Sequence, residues 1–430
     1  MSLETLSETP TSTADPPQNE NPLPQPSKRS IRLARRREWK ARFDPVVPPS
    51  GPPLPQYVPM PELQLACPLS YNTEIQSFID HPTFAATEVN YPRIEAIRCL
   101  LEDLVLRCVP SATGVALFGS ACSTVMTPNS DLDFSIVLKT PTDSPSEILR
   151  LVRDEMRKGG PFTQDDYIPS ARKPVTKCHI FHQVWNADQV DATAQDAPIL
   201  FDIAVDHYLG VMNSQLIRTY CECDPRVRPF LLLIKKWTKA YNVADASMSR
   251  LASYSWSLTG LCFLQMVEPP IVPNLQSETY ITASDQSLVE DHEYEDGIVR
   301  FSKDTAPWHS RQPNLLPNPS DPLQTTSPRP HNPSSVASLF VSYIDYMCHH
   351  YTNLHCMSVK HGGLVVTESI KHLLEETERP PRFVILDPFQ KKRNPGVSVG
   401  RTSFIKTPLE ETVAKIKSGI SFVELISPPR

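Results

Sequence analysis

Three aspartates carry the chemistry most directly written in this sequence. Asp131 and Asp133 stand one residue apart at the head of the run DLDFSIVL, so on a strand they share one face while Leu132, Phe134, Ile136 and Leu138 take the other. Asp202 lies in ILFDIAVD (199–206), on the face opposite Phe201, Ile203 and Val205. Three carboxylates brought onto neighbouring strands repel one another without a cation, and oxygen-only donors suit Mg²⁺ or Mn²⁺. Two such ions can activate an attacking oxygen and stabilise a leaving one in phosphoryl or nucleotidyl transfer. Gly119 and Ser120 close an upstream apolar run, with ten residues between Ser120 and Asp131. A Gly-Ser turn there can bring backbone N–H groups and a hydroxyl to a phosphate. A lone D-x-D is more often the polar face of an edge strand. The weight comes from Gly-Ser, D-x-D and a third strand acid occurring together.

The elements that must position these residues read as follows. VALFGS (115–120) is a strand ending in a turn, and DLDFSIVL is a second strand. Ser144-Pro145-Ser146-Glu147 is a capping box with proline at the first helical position, and Gly159 can end that helix. Strand candidates follow near 174–185 and at 199–206. The resulting strand–strand–helix–strand–strand pattern predicts an α/β or α+β unit with a small mixed sheet. Upstream, 91–109 places Ile94, Ile97, Leu100, Leu101, Leu104, Val105 and Cys108 at helical spacing. The period is helical over 214–267, over 336–351 and near 366–377. The intervening 277–333 is polar and Pro-rich, and within it only GIVRFSKD (297–304) resembles a strand. The stretch CHHYTNLHC (348–356) fits no standard zinc spacing and begins inside an amphipathic helix, so no zinc site is expected from Cys348, His349, His350, His355 and Cys356.

The chain has 430 residues, enough for two or three domains, with 45 prolines against 13 glycines. Its net charge of −6 hides an asymmetry: residues 28–42 hold eight basic residues and one acid, +7, which leaves −13 for the rest. Contact with a polyanion must therefore be local, through this arm or a basic cleft. The arm reads either as a solvated segment or as a functional one, an RNA contact or a nuclear import signal. Ten scattered cysteines without C-x-x-C pairs, and no secretory leader, imply reduced thiols inside the cell. No apolar run reaches the ~18 residues of a membrane helix.

Taken in order, FGS–(x10)–DLD and FDIAV resemble the nucleotidyltransferase superfamily that includes DNA polymerase beta. The stretches LGVMNSQLIRTYCECDPRVRPFLLLIKKWTKAYNV, LASYSWSLTGLCFLQ and ILDPFQKKRN are similar to the terminal uridylyltransferases and the related template-independent poly(A) polymerases. The resemblance covers about residues 90–276 and 335–405. It implies a bilobal α+β fold, with a small mixed-sheet nucleotidyltransferase domain facing a mainly helical central domain that completes the nucleotide pocket. It also implies that Asp131, Asp133 and Asp202 bind metal, that Ser120 after Gly119 contacts phosphate, and that Asn213 lies near the ribose. Lys235 and Lys239 match a lysine pair on the triphosphate; they are i,i+4 on a helix whose apolar stripe is Phe230, Leu233, Ile234 and Trp237, and both point away from it. Ser253 and Tyr254 match the motif whose tyrosine stacks on the base, Asp387 the acid that reads the base edge, and Arg172 an arginine facing RNA. Three positions depart from the family: Leu386 stands before Asp387 in place of an acid, Gln390 where glutamate is usual, and Arg393 where many uridylyltransferases have histidine.

The expected organisation is a disordered tail with the basic block (1–63), a helical segment packed on the central domain (64–110), the nucleotidyltransferase domain (111–212), the first part of the central domain (213–276), a largely irregular insertion (277–333) and the nucleotide-recognition part of the central domain (334–430). The expected activity is Mg²⁺- or Mn²⁺-dependent addition of UMP from UTP to RNA 3′ ends. A poly(A) polymerase using ATP, or an inactive RNA-binding scaffold, are the alternatives. RNA and UTP or ATP are the expected partners, with no membrane and no protein partner named by the sequence. The cytoplasm is the first expectation for location, with the nucleus and mitochondria open.

Overall fold

The computed structural model describes residues 55–81, 86–127, 130–142, 144–169, 174–180, 198–294, 297–311, 331–374, 381–390 and 392–427. The basic block 28–42 and Arg172 lie outside them.

Alternation of apolar and polar residues builds the first lobe. Its five strands are β1 (Ala112–Phe118), β2 (Leu132–Leu138), β3 (Phe162–Ile168), β4 (Val175–Ile180) and β5 (Ile199–Val205), in the spatial order β1-β2-β5-β4-β3. Only β2 and β5 are parallel; the other neighbours are antiparallel. Helices α2 (Ala86–Cys108) and α4 (Pro145–Met156) contribute to the same core: Ile97, Leu101, Val105, Leu149 and Val152 are buried together with Phe134, Ile136, Phe201 and Ile203. This fully apolar packing leaves the alternate residues of β2 and β5, including Asp133 and Asp202, on the opposite face.

The second lobe is helical. Its main elements are α1 (Leu69–Ile79), α5 (Tyr208–Cys223), α6 (Val227–Ala240), α7 (Ser253–Met266), α10 (Val336–Asp345) and α11 (Ser403–Lys417). Helix α7 is apolar nearly all round, as a helix at the centre of a core must be; Trp256, Leu258, Leu261, Phe263 and Leu264 are all buried. Trp237 of α6 meets Trp256 edge-on at 5.5 Å and donates its indole N–H to Thr412 Oγ1 at 2.8 Å. Two short β-pairs complete the lobe: β6 (Val289–Tyr294) with β7 (Gly297–Ser302), and β8 (His355–Ser358) with β9 (Gly363–Val366). Short helices α3 (Gly119–Cys122), α8 (Glu278–Ala283), α9 (Ala306–His309) and α12 (Phe422–Leu425) fill the connections. No helix among the described residues is long and apolar enough to cross a membrane.

Several local expectations need amending. Tyr71 and Ile75 of α1 join the helical core, but α2 packs on the sheet. An amphipathic stripe says that a helix is covered, not by what. The stretch expected to be largely irregular holds α8 and the β6–β7 hairpin over 278–302; residues 312–330 fall outside the described set. Strand β3 was not anticipated: as an edge strand it buries little beyond Phe162 and lacks a clear alternation. Ser144 precedes α4 with proline at its start, yet the capping box does not close, because the Glu147 carboxylate pairs with Arg150.

Candidate active site

The parallel pairing of β2 and β5 sets Asp133 directly beside Asp202 in register. On the other side of β2, Phe118 pairs with Asp133, which brings the following residue, Gly119, against the same carboxylate. Gly119 has φ +69°, and a Cβ there would lie 1.9 Å from Asp133 Oδ2. Both the left-handed backbone and the lack of space therefore require glycine. Gly119 donates its N–H to Ser214 Oγ at 2.8 Å, so this amide is committed to α5 and its role is to make room for the carboxylate. Ser120 follows, half-buried in the first turn of α3.

The electrostatics are those of crowded acids. Burial, and then the charges of Asp202 and Asp131, push the Asp133 carboxyl up to about 7, against the pull of Lys235 and Lys177. Asp202 is also raised, by burial first and with Asp131 adding, while Lys177 opposes. Lys177 faces Asp202 across the β4–β5 pairing, and its Nζ lies 3.2 Å from both carboxylate oxygens. Burial works against the Lys177 ammonium, but the charge of Asp202 and the bonds to it outweigh that and raise its pKa. Lys177 was not singled out from the sequence. Its signal lay in the alternation of β4, yet only the register reveals its partner.

Among the described residues, no three His, Cys, Asp or Glu side chains are gathered closely enough to hold an ion as they stand. Lys177 partly balances the acids instead. The donors of this face nevertheless fit a hard cation: they are all oxygens, burial and the charge of Asp131 push both Asp133 and Asp202 up, and Gly119 leaves space at Asp133. The stretch 348–356 is different. Cys348 and Cys356 are buried in separate apolar clusters, and His349 binds Asp345 at 2.7 Å.

The helical lobe supplies the rest. Lys235 of α6 reaches the loop before β2, donating to Ser130 Oγ at 2.9 Å and the Val125 carbonyl at 3.2 Å. Burial lowers its pKa to about 8, helped by Lys239 and opposed by Asp133 and Asp131. Lys239, one turn on, is exposed. Asn213 of α5 is buried, and its side-chain carbonyl has no hydrogen-bond partner among the described residues. Ser253, at the start of α7, is exposed and Tyr254 is half-buried. The Tyr254 hydroxyl is held well above its usual pKa by burial and by the nearby charge of Asp387.

Asp387 is buried within its own loop. Its Oδ1 accepts from the N–H groups of Phe389 (3.1 Å) and Gln390 (2.9 Å), and its Oδ2 lies 3.3 Å from Arg393 Nη1. The same guanidinium donates to Gln390 Oε1 at 3.2 Å. Leu386 packs with Cys356, Val365, Ile370 and Val384, so an acid at that position would be buried in an apolar cluster. The structure thus gathers Asp131, Asp133, Asp202, Gly119 and Lys235 at one place, and Tyr254, Asp387, Gln390 and Arg393 at another. Arg172 lies outside the described residues.

Known proteins resemble this chain in sequence and in fold. The profile of the family described as poly(A) RNA polymerase, mitochondrial-like, central palm domain, matches residues 72–222. Poly(A) RNA polymerase GLD2-B of Xenopus laevis is 32% identical over 166 residues, 38% of this chain and 30% of that relative. Caffeine-induced protein 16 of Schizosaccharomyces pombe is 25% identical over 307 residues, 70% of this chain and 22% of its own length. The matched stretches therefore span less than a third of these relatives. In fold, the chain is similar to a cytoplasmic RNA terminal U-transferase (20% identity, TM-score 0.61, 84% of this chain and 99% of the other) and to Cid1 in complex with the UTP analog UMPNPP (20%, 0.61, 84% and 98%). Over residues 72–222 the chain is similar to the poly(A) RNA polymerase palm domain, and its mixed-sheet lobe and helical lobe share the fold of the RNA terminal U-transferase structures.

Proposed function

We propose that this protein adds nucleotides to RNA 3′ ends without a template, with UTP preferred over ATP by a narrow margin. The observation that carries the reading is the in-register pair Asp133 and Asp202, with glycine clearing space for one carboxylate and Lys235 reaching in from the helical lobe. Asp131, Asp133 and Asp202 would hold Mg²⁺ or Mn²⁺, which when bound supplies the positive charge that favours a 3′-alkoxide and a departing pyrophosphate. Lys235, already near the acids, and Lys239 offer charge to the triphosphate, and Ser120 a hydroxyl. The Asn213 carbonyl, which has no partner among the described residues, supports ribose recognition, since a 2′-hydroxyl can satisfy it. The neighbour Cid1 has been described with a UTP analog and with its short product ApU, which supports nucleotide and RNA as ligands here.

Asp387 spends its carboxylate on its own loop, so base choice falls on Gln390 and Arg393. A neutral amide that can both donate and accept discriminates less sharply than an acid, hence the narrow margin. The ATP reading has its own support: the sequence relative GLD2-B is named a poly(A) RNA polymerase, and Arg393 stands where many uridylyltransferases have histidine. The test is extension of a labelled single-stranded RNA with each of the four NTPs and Mg²⁺. The proposal expects extension, fastest with UTP. Preference for ATP promotes the second reading, and no extension with any NTP overturns both.

A further inference from the structure

The β6–β7 hairpin touches both halves of the site. On one side, Tyr294 donates its hydroxyl to the Asp206 carbonyl at 3.2 Å, at the turn that ends the Asp202 strand. Tyr208, the first residue of α5, packs against the Tyr294 ring at 4.7 Å and bonds His292 through its hydroxyl. Asp206 is itself tied to β2, because its N–H donates to the Ile136 carbonyl at 2.9 Å and its Oδ1 accepts from Leu138 N–H at 3.1 Å. The contact point is thus locked to the strand of Asp133 as well as that of Asp202.

On the other side, the hairpin holds the backbone of the Asp387 loop. Ile298 N–H donates to the Phe389 carbonyl at 2.9 Å, Gly297 bridges to Gln390, and the Phe301 and Phe389 rings meet at 5.4 Å. Gln276 Nε2 divides itself between the carbonyls of Pro388 (3.1 Å) and Arg300 (3.3 Å), one in the loop and one in the hairpin. The fit is close, since a Cβ at Gly297 would lie 3.2 Å from both Leu209 Cδ1 and the Phe389 carbonyl.

We infer that this hairpin is a brace that sets the base-reading loop against the aspartate strands, with Tyr294 and Gln276 as positioning residues for base choice. The inference rests on the proposed function and adds a determinant of its specificity. With Asp387 committed to the loop itself, discrimination depends on where Gln390 and Arg393 stand. Their position is only as definite as the backbone at 388–390. Loosening the brace blurs the match between two base edges, while the triphosphate contact through Lys235 on α6 persists.

Two variants test it in the full chain, using binding of non-hydrolysable UTP and ATP analogues with Mg²⁺. Tyr294→Phe keeps the ring and removes one hydrogen bond. Gln276→Glu keeps the shape but sets an acceptor against two carbonyls. Each variant is expected to close most of the wild-type gap between the two affinities and bring their ratio close to one. The thermal midpoint of Tyr294→Phe is expected to fall by no more than the few degrees that one lost hydrogen bond is worth. A wild-type ratio retained by both variants overturns the brace alone, as does a wild type that binds both analogues alike. A wild type that binds neither analogue overturns the functional reading and the brace with it.

Discussion

Gly119→Ala probes the carboxylate site without touching a carboxylate. The native backbone sits at φ +69°, where an alanine costs about 1–2 kcal/mol. The added methyl would also lie 1.9 Å from Asp133 Oδ2 and 2.7 Å from its Cγ. Ordinary contact begins at 3.4 Å, so the carboxylate must retreat from its place beside Asp202. A misplacement of about 1 Å at a reacting centre costs on the order of 10²-fold in rate. The expected result is a fall in RNA extension of about 10²-fold or more, with a loss of stability of roughly 1–3 kcal/mol. The assay pairs extension of a labelled single-stranded RNA with denaturant unfolding of wild type, Gly119→Ala, Asp133→Ala and the double variant. Truncating Asp133 removes the clashing oxygen, so Gly119→Ala should cost less stability in that background. Wild-type extension by Gly119→Ala, or stabilities that add to within about 0.5 kcal/mol, would refute the idea that this glycine exists for the carboxylate.

Asp133→Ala should abolish extension while leaving the unfolding midpoint unchanged or higher, because the removed group is a crowded acid rather than a stabilising one; wild-type-like extension defeats the assignment. Gln390→Glu should widen the ratio of kcat/KM for UTP over ATP, since an acid there discriminates donors from acceptors more sharply and pairs more firmly with Arg393; an unchanged or narrower ratio removes Gln390 from base choice. Deleting residues 1–53 should preserve the fold and the KM for nucleotide but make the salt dependence of RNA binding shallower, given the +7 block at 28–42. The cut belongs there because Gln56 and Tyr57 are hydrogen-bonded or bridged to 365–369, and an unchanged salt slope would make the arm something other than an RNA contact.

What the sequence determined was mostly local. Period-two alternation around Asp133 and Asp202 fixes which face of each strand carries the acids, because side chains on a strand can point only two ways. The apolar spacing of 214–267 fixes its helices, and the ordered motifs carried the resemblance to the nucleotidyltransferases. Tertiary structure decided everything that depends on a partner far along the chain. Helix α2 covers the sheet rather than the helical lobe, a choice between two apolar surfaces that its own stripe cannot make. Lys177 became the counter-charge of Asp202 only through strand register, and β3 formed as an edge strand whose few buried residues leave little pattern. Asp387 reads from the sequence as a free acceptor, but loop closure turns it inward onto two backbone amides and Arg393. The β6–β7 hairpin looked like part of a linker because half its residues are polar; its order comes from the loop, Tyr208 and Leu209 against which it packs. Periodicity records that a surface is covered, whereas register and long-range packing choose the covering group, and it is that choice which assembles the site.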